Sequence, residues 1–427
     1  MAKKKQDLTP EERLAAALVP EEEWPYELPE GWKWVRLAGL AEIIMGQSPR
    51  GIDTTDDNSY TPLIGGAADI GENKLTPHKY TRKVTKLSQN GDLILCIRAT
   101  LGRPVLSNGE YCLGRGVAGI RLLSGNVSWI KYYLIQSERY LYEHATGSTF
   151  LQVTGKVLSD MAVPFPSESV QQHLVARIES LFAKLDAARE KVQSVLDSHE
   201  TRKAALLHDA FTGKLTAKWR EEHGISLVNW QTRSLSDCGT WKGGGTPSKA
   251  HPDYWENGEI MWVTSKDMKS DKIQDTQMHI TPLGVEQSSA IYSEKPAVLF
   301  VTRSGILRHT LPVALVNRPF TTNQDLKSLT PNENIDTQYL FFAAKAFSGQ
   351  ILKTCMKNGT TVESINTKKL MEFLLPIASM REQKVIAKML RQLLNKEQRA
   401  QQAAEATLAA IDRMKQSILA RAFRGEL

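Results

Sequence analysis

Two long stretches of this chain contain neither proline nor glycine, roughly Glu168 to Phe211 and Met380 to Phe423, and they stand in register 212 positions apart. The register continues on both sides of them. "GSTFLQVTGKVLSDMAVPFPS" from Gly147 matches "GTTVESINTKKLMEFLLPIAS" from Gly359, sharing Gly147/Gly359, Thr149/Thr361, Lys156/Lys368, Leu158/Leu370 and Pro164/Pro376. Downstream, "HDAFTGKL" (His208 to Leu215) returns as "ARAFRGEL" (Ala420 to Leu427). A period this long makes the chain two half-molecules in tandem. Each uninterrupted stretch reads as helix, and about 44 residues at ~1.5 Å rise make a rod of about 66 Å, too long for an ordinary globular helix.

Periodicity says what such rods do. Leu174, Ile178, Leu181, Leu185, Ala188, Val192 and Val195 recur at alternating steps of four and three, a narrow seam that wants a helical partner. The matching positions of the second stretch are Ile386, Leu390, Leu393, Glu397, Ala400, Ala404 and Thr407, continuing to Ile411, Met414 and Ile418. The first seam is apolar early and the second regains apolar residues late, which predicts antiparallel pairing within one chain. Two amphipathic helices packed separately on globular domains are the alternative. Phe211 and Phe423 are read as final apolar anchors, each beside the other half's domain, with Gly213 and Gly425 where a left-handed helix stop falls.

A length of 427 residues exceeds one ordinary core and suggests several domains. No apolar run approaches the ~18 residues of a membrane span. The opening "MAKKKQDLTPEERLAAALVPEEEWPYELPEGW" lacks the apolar core and cleavage site of a signal peptide, so a cytoplasmic location is expected. Cys96, Cys112, Cys238 and Cys355 lie far apart without metal-ligand spacing, which predicts reduced, buried thiols and no metal. A net charge of +7 and a pI near 9.0 permit a polyanionic partner without requiring one.

The globular stretch before each helix shares punctuation with the other. "WVRLAGLAEIIMGQSPRG" and "WQTRSLSDCGTWKGGGTPSK" run from Trp through a short strand to Gly, a hydroxyl, Pro and a base: Gly46, Ser48, Pro49 and Arg50, then Gly245, Thr246, Pro247 and Lys249. A phosphate contact and a plain tight turn with a surface cation both fit these residues. Further on, "GDLILCIRATLGRP" and "PAVLFVTRSGILRHTLP" each end an apolar run in spaced arginines, Arg98 with Arg103 and Arg303 with Arg308. Arginines on a loop after a strand can reach guanine O6/N7 or phosphate. The following segments add Arg115 in one half, and Thr321, Thr322, Asn323 and Gln324 in the other, where Asn and Gln can read adenine. Lys79, Arg82, Lys83 and Lys86, and Lys266, Lys269 and Lys272, are candidates for phosphate positioning, with solvated surface as the alternative.

The order of these parts, over essentially the whole chain, resembles the specificity subunit of type I restriction-modification systems. A Trp-led strand and the Gly-hydroxyl-Pro-base turn begin a variable domain, and a strand with an Arg/Gly loop occupies its middle. The segment "VPFPSESVQQHLVARI" or "LPIASMREQKVIAKM" leads into a long helix, and all of this occurs twice. The resemblance implies an α+β chain in which two target-recognition domains of mixed α/β structure are separated by two long antiparallel coiled-coil helices, a pseudo-twofold tandem repeat. The expected parts are a first recognition domain (30–166), a first spacer helix (167–215), a linker (216–229), a second recognition domain (230–378) and a second spacer helix (379–427), preceded by an acidic leader (1–29), the one place where the chain departs from the family's order. Each domain is then expected to read half of a bipartite double-stranded DNA target. The helices set the gap and dock two methyltransferase subunits, with restriction/translocase subunits joining them. S-adenosylmethionine, ATP and Mg are expected on those partners, none on this chain.

Catalytic alternatives find no support in the residues. There is no Asn- or Asp-Pro-Pro-aromatic motif of an amino-methyltransferase, and no Gly-Lys-[ST]; Gly155-Lys156 and Gly213-Lys214 are followed by Val and Leu. Pro252-Asp253 has no nearby Glu-x-Lys, which a two-metal nuclease would need. Two classes remain: a non-catalytic DNA-reading subunit, and a coiled-coil scaffold whose two domains bind protein.

Overall fold

The computed structural model describes residues 9–71, 73–357 and 362–427, so Gly359 and Thr361 of the repeat lie outside the described residues. Two compact units result: the described residues of Met1–Val192 together with Ala406–Leu427, and Gln193–Glu405. Each unit therefore combines one globular region with pieces of both long helical stretches.

The strands of the first unit are β1 (Lys33–Arg36), β2 (Ala41–Met45), β3 (Thr54–Thr55), β4 (Thr61–Ile64), β5 (Lys79–Thr81), β6 (Leu93–Arg98), β7 (Thr100–Leu106), β8 (Cys112–Leu113), β9 (Val117–Leu122) and β10 (Ala162–Phe165). Its helices are α1 (Pro10–Ala16), α2 (Leu37–Leu40), α3 (Val127–Gln136), α4 (Glu138–Glu143), α5 (Gly155–Asp160) and most of α6 (Glu168–Asp197). One sheet has the order β2-β9-β6-β7, a second β3-β5-β4-β8, and β1 pairs with β10 in a ribbon. The apolar run "LILCIR" is β6, a central strand covered on both faces, which is why it lacks alternation. The leader is part of this unit. A Thr9–Glu12 capping box starts α1, Val19 is buried, and the Tyr26 ring meets Trp34 edge-on at 4.9 Å.

The second unit also has two sheets and a two-stranded ribbon, but its sheets hold five and three strands where those of the first hold four each. After α7 (His199–Phe211) and α8 (Ala217–Glu222) come β11 (Gln231–Ser234), β12 (Gly239–Lys242), β13 (Ile260–Val263), β14 (Lys272–Ile273), β15 (His279–Ile280), α9 (Pro282–Glu286), β16 (Ala297–Val301), β17 (Val313–Val316), β18 (Phe320–Thr322) and β19 (Leu326–Pro331). Then follow α10 (Thr337–Ala346), α11 (Ser348–Cys355), α12 (Thr367–Met371), β20 (Leu374–Ile377) and α13 (Met380–Ala422). The sheets are β12-β19-β16-β17-β14 and β15-β13-β18, with β11 and β20 forming the ribbon.

One buried glutamine in each unit ties a long helix to its domain. Gln171 accepts from Asn126 N at 2.8 Å and donates to Pro166 O at 2.9 Å; Gln383 accepts from Asp336 N at 2.8 Å and donates to Ala378 O at 2.8 Å. Asn126 and Asp336 are the N-caps of α3 and α10, so each glutamine also orders the start of a core helix. All four cysteines are free and buried.

The anchors behave as their positions predict. In the first unit Phe423 is fully buried against Trp129 and Tyr133, at ring separations of 4.4 and 5.0 Å, and Tyr26 OH donates to its carbonyl at 3.0 Å. In the second, Phe211 packs on Tyr339 at 5.3 Å and Phe347 at 6.1 Å. Gly213 and Gly425 have φ of +80° and +72°, the left-handed stop that favours glycine.

Within each unit the two helical stretches run antiparallel. Arg189 pairs with Asp412 and Lys415 with Asp186 in the first unit; Arg202 Nε donates to Glu397 at 2.8 Å in the second. Leu174, Ile178, Ile386, Leu390 and Ile411 are buried, while Leu181, Leu185, Val192 and Leu393 are half-buried. The heptad reading fails elsewhere: Ala188 and Ala400 are exposed, as are Val195 at 38% and Met414 at 53%. After Leu185 the covered positions advance by four to Arg189, and after Ile411 by four to Lys415, so these pairing residues take the places assigned to Ala188 and Met414. The covered positions still advance by alternating steps of four and three, Leu185, Arg189, Val192 and Leu196 in one stretch and Ala404, Leu408, Ile411, Lys415 and Ile418 in the other, so what changes is the phase of the seam.

Two further expectations change. The first rod is broken at Ser198, whose Oγ donates to Ser194 O at 2.7 Å, a back-bond that competes with helical geometry. Residues 216–229 are no free linker. Glu382 Oε1 accepts from Arg220 Nη1 at 2.8 Å and Thr216 Oγ1 at 2.7 Å, and its Oε2 accepts from Trp230 Nε1 at 2.8 Å, which fastens α8 to the start of α13.

Candidate nucleic-acid interface

In the first unit the turn after β2 is drawn against the β8–β9 turn. Gly46 N donates to Val117 O at 3.0 Å and Gln47 N to Leu113 O at 2.8 Å. A Cβ on Gly46 would fall 2.2 Å from Gly114 O, so only glycine permits the approach. Ser48 Oγ accepts from Arg115 N at 3.1 Å, and its hydroxyl is engaged within the protein. Arg50 and Arg115 are exposed on these joined turns.

Cations line the adjacent small sheet. Arg50 Nε donates to Asp53 Oδ2 at 3.0 Å, Lys79 Nζ reaches Asp56 at 2.7 Å, and the Arg82 guanidinium lies over the Tyr60 ring at 5.2 Å. Lys83 and Lys86 are exposed beside them. The arginines that the sequence placed on a single Gly-containing loop are arranged differently. Arg98 ends β6, a tight turn follows at Ala99 with φ +63°, and Arg103 belongs to β7 with φ +56° beside Gly102. Arg98 is half-buried over the Phe150 ring at 6.0 Å, and Arg103 is exposed.

The second unit builds the corresponding turn on other neighbours. Gly245 N donates to Thr322 O at 2.9 Å, and a Cβ on Gly244 would fall 2.2 Å from that same oxygen. Thr246 Oγ1 donates to Gln324 Oε1 at 2.6 Å. Thr321, Thr322 and Asn323 are buried: Thr321 Oγ1 donates to Met261 O at 3.1 Å, and Asn323 bonds both the side chain and the backbone N of Asp325. Gln324 is the exposed member of that run, and Lys249, Lys266, Lys269, Lys272 and Arg303 are also exposed. Arg308 is tied to Glu363 through Nε at 2.9 Å, and that hydrogen bond holds the Glu363 carboxyl below its usual range.

Each unit therefore presents a glycine-clamped turn with exposed cations around it. Ile52, Asp53, Tyr60, Phe150 and Glu363 belong to these surroundings and escaped the sequence reading. Asp53 stands three residues from Arg50, a spacing that hints at the pair, whereas Arg308 and Glu363 are too far apart for any local signal. Among the described residues no cluster of His, Cys, Asp and Glu could hold a metal, and no helix is long and apolar enough to cross a membrane.

Comparison with known proteins adds an independent line. A family model for the type I restriction modification DNA specificity domain matches residues 29–196 and 227–406. The chain is 34% identical over 208 residues to the type I restriction enzyme EcoR124I/EcoR124II specificity subunit of Escherichia coli, covering 48% of this chain and 51% of that protein. It is 27% identical over 196 residues to the putative type I restriction enzyme MjaX specificity subunit of Methanocaldococcus jannaschii, covering 45% of each. The chain thus spans about half the length of these two relatives. With the EcoDI specificity subunit of Escherichia coli the match is 22% over 425 residues, covering 94% of this chain and 90% of that one. Among solved structures, a chain from work on complex assembly and conformational transition of the type I R-M system has a TM-score of 0.74 at 19% identity, covering 94% of this chain and 100% of its own. The HsdS subunit from Thermoanaerobacter tengcongensis has a TM-score of 0.62 at 19% identity, covering 95% and 100%. At that identity the structural likeness is one of fold.

Proposed function

The chain belongs to the type I restriction modification DNA specificity domain family, and from that premise we propose that it is the non-catalytic subunit that gives such a complex its DNA sequence specificity. Each globular domain reads one half of a bipartite double-stranded target. The long helices form an antiparallel coiled coil in a pseudo-twofold tandem repeat, set the gap between half-sites and dock two modification subunits. Methyl transfer and ATP-dependent cleavage, with S-adenosylmethionine, ATP and Mg, belong to the modification and restriction subunits.

One observation carries this reading: the glycine-clamped turn with its surrounding exposed cations is built twice, on two domains whose sequences differ. Two different readers on one chain give an asymmetric target, since identical readers related by a twofold would read a palindrome. Linking them raises the local concentration for the second half-site. Exposed lysines and arginines supply the phosphate contacts, and side chains at the turn tips supply discrimination.

Filter binding of the chain assembled with its modification subunits tests the proposal. If about 6–10 phosphates are neutralised, affinity falls by about 10³–10⁵ between 50 and 200 mM salt. Affinity that does not respond to salt would favour a scaffold with protein-binding domains.

A further inference from the structure

Ile52 is the most exposed large apolar side chain of the first unit among the described residues, at 79%. Single exposed apolar residues are common on protein surfaces and need no explanation. This one is distinguished by its frame. It occupies the short turn Gly51–Asp53, directly after Arg50 and directly before β3. Strand β3 pairs antiparallel with β5 in the register Thr54↔Thr81, and beyond that pair Arg82 N donates to Asp53 O at 2.9 Å. Arg82 and Lys83 therefore run alongside the turn that carries Ile52.

The acids at this tip are already engaged. Asp53 tethers Arg50 at Nε, Asp56 takes Lys79, and Asp57 accepts from Ser59 N at 3.0 Å. Because Asp53 holds Arg50 at Nε, and the Arg50 side chain is 75% exposed, its two terminal amino groups are presented outward as a fork. A fork of that kind fits guanine O6 and N7 in the major groove. The apolar group on a major-groove base edge is the C5-methyl of thymine. An exposed isoleucine next to such an arginine, flanked by cations that can hold phosphate, matches that pattern.

We propose that the Arg50–Asp53 turn is a base-reading tip of the first domain, in which Arg50 reads a guanine and Ile52 packs on a thymine methyl in the same half-site. Asp53 is a positioning residue for Arg50. This rests on the DNA-reading function proposed above and goes further by naming the bases and the groove.

The test begins with the target as mapped by methylation in the host. Each thymine in it is replaced in turn by deoxyuridine, which lacks only the methyl, and binding is measured with the full chain in its complex. The unaltered protein should lose about fourfold at one position, the effect of removing one buried methyl-sized group. Ile52→Ala should bind the thymine and deoxyuridine forms of that position equally. Arg50→Ala should relax discrimination at a G·C pair of the same half-site by about fivefold or more. Asp53→Asn, which keeps the size of the side chain and weakens the tether, should relax the same pair by less.

The proposal is overturned by the absence of any deoxyuridine penalty in the target for the unaltered protein, by the same penalty retained in Ile52→Ala, or by effects of Ile52 and Arg50 that map to different half-sites. A loss of affinity in Ile52→Ala without any deoxyuridine effect would mark a minor-groove wedge instead, and also overturns it. Failure of the unaltered complex to prefer its target at all sinks the DNA reading itself. That outcome is distinct from specific binding that ignores the methyl.

Discussion

Phe423→Ala is expected to destabilise the first unit by about 3–5 kcal/mol, the usual cost of removing a buried phenylalanine. The ring is fully buried, it fills the space between Trp129 and Tyr133, and its own carbonyl accepts the Tyr26 hydroxyl. The location of the damage is as informative as its size. Phe423 lies at the end of α13, yet its neighbours are in α3 and the leader. Hydrogen exchange should therefore rise in peptides from 9–192 and stay unchanged in peptides from 193–405. Faster exchange around β20 and α10 instead, with α3 protected as before, would show that the helix end is not anchored on the first domain. Phe211→Ala should give the reciprocal pattern through Tyr339 and Phe347.

Glu382→Ala should cost the second unit a similar amount, about 3–5 kcal/mol, for a different reason. Its carboxylate is almost wholly buried and accepts from Arg220, Thr216 and Trp230. Truncation leaves a buried guanidinium facing no charge, and that uncompensated group dominates the loss. Replacing both partners removes it, so Arg220→Met with Glu382→Leu should recover most of the stability. Urea unfolding of the single and double variants checks both statements. A double variant no more stable than Glu382→Ala would mean that the packing of α8, and not the unpaired charge, carries the effect.

Much of this architecture is legible in the sequence, because tandem repetition, absence of helix breakers and seam periodicity are written in contiguous residues. The buried Leu174, Ile178, Ile386 and Leu390, and the glycine stops at Gly213 and Gly425, follow from such local signals. What escaped depends on partners distant in sequence. Arg189 holds a seam position through Asp412, and Lys415 does so by pairing with Asp186 while its Nζ lies 5.1 Å from the Phe182 ring centroid. A heptad count sees only their charge. Residues 216–229 read as a polar connection until Arg220 is seen against Glu382.

The candidate interface shows the same division. The glycines of both turns were visible as turn signals, and the structure gives their reason in carbonyl oxygens that leave no room for a Cβ. Ala99 is not a turn former, so nothing in "CIRATLGRP" announces that the chain reverses between Arg98 and Arg103. The polar run Thr321–Gln324 reads as exposed, but β18 lies beside β13 and draws the first three side chains inward. Alternating or clustered polarity cannot reveal which hydroxyls will find a backbone carbonyl inside a sheet.

The central claim, that this chain chooses the DNA sequence for its complex, is tested most directly by single-molecule methylation mapping in the host with and without the intact gene. The account predicts that deletion removes methylation at one asymmetric, bipartite motif with a fixed gap, and that supplying the chain restores that motif. An unchanged set of methylated motifs after deletion, with the modification subunits still expressed, would contradict it.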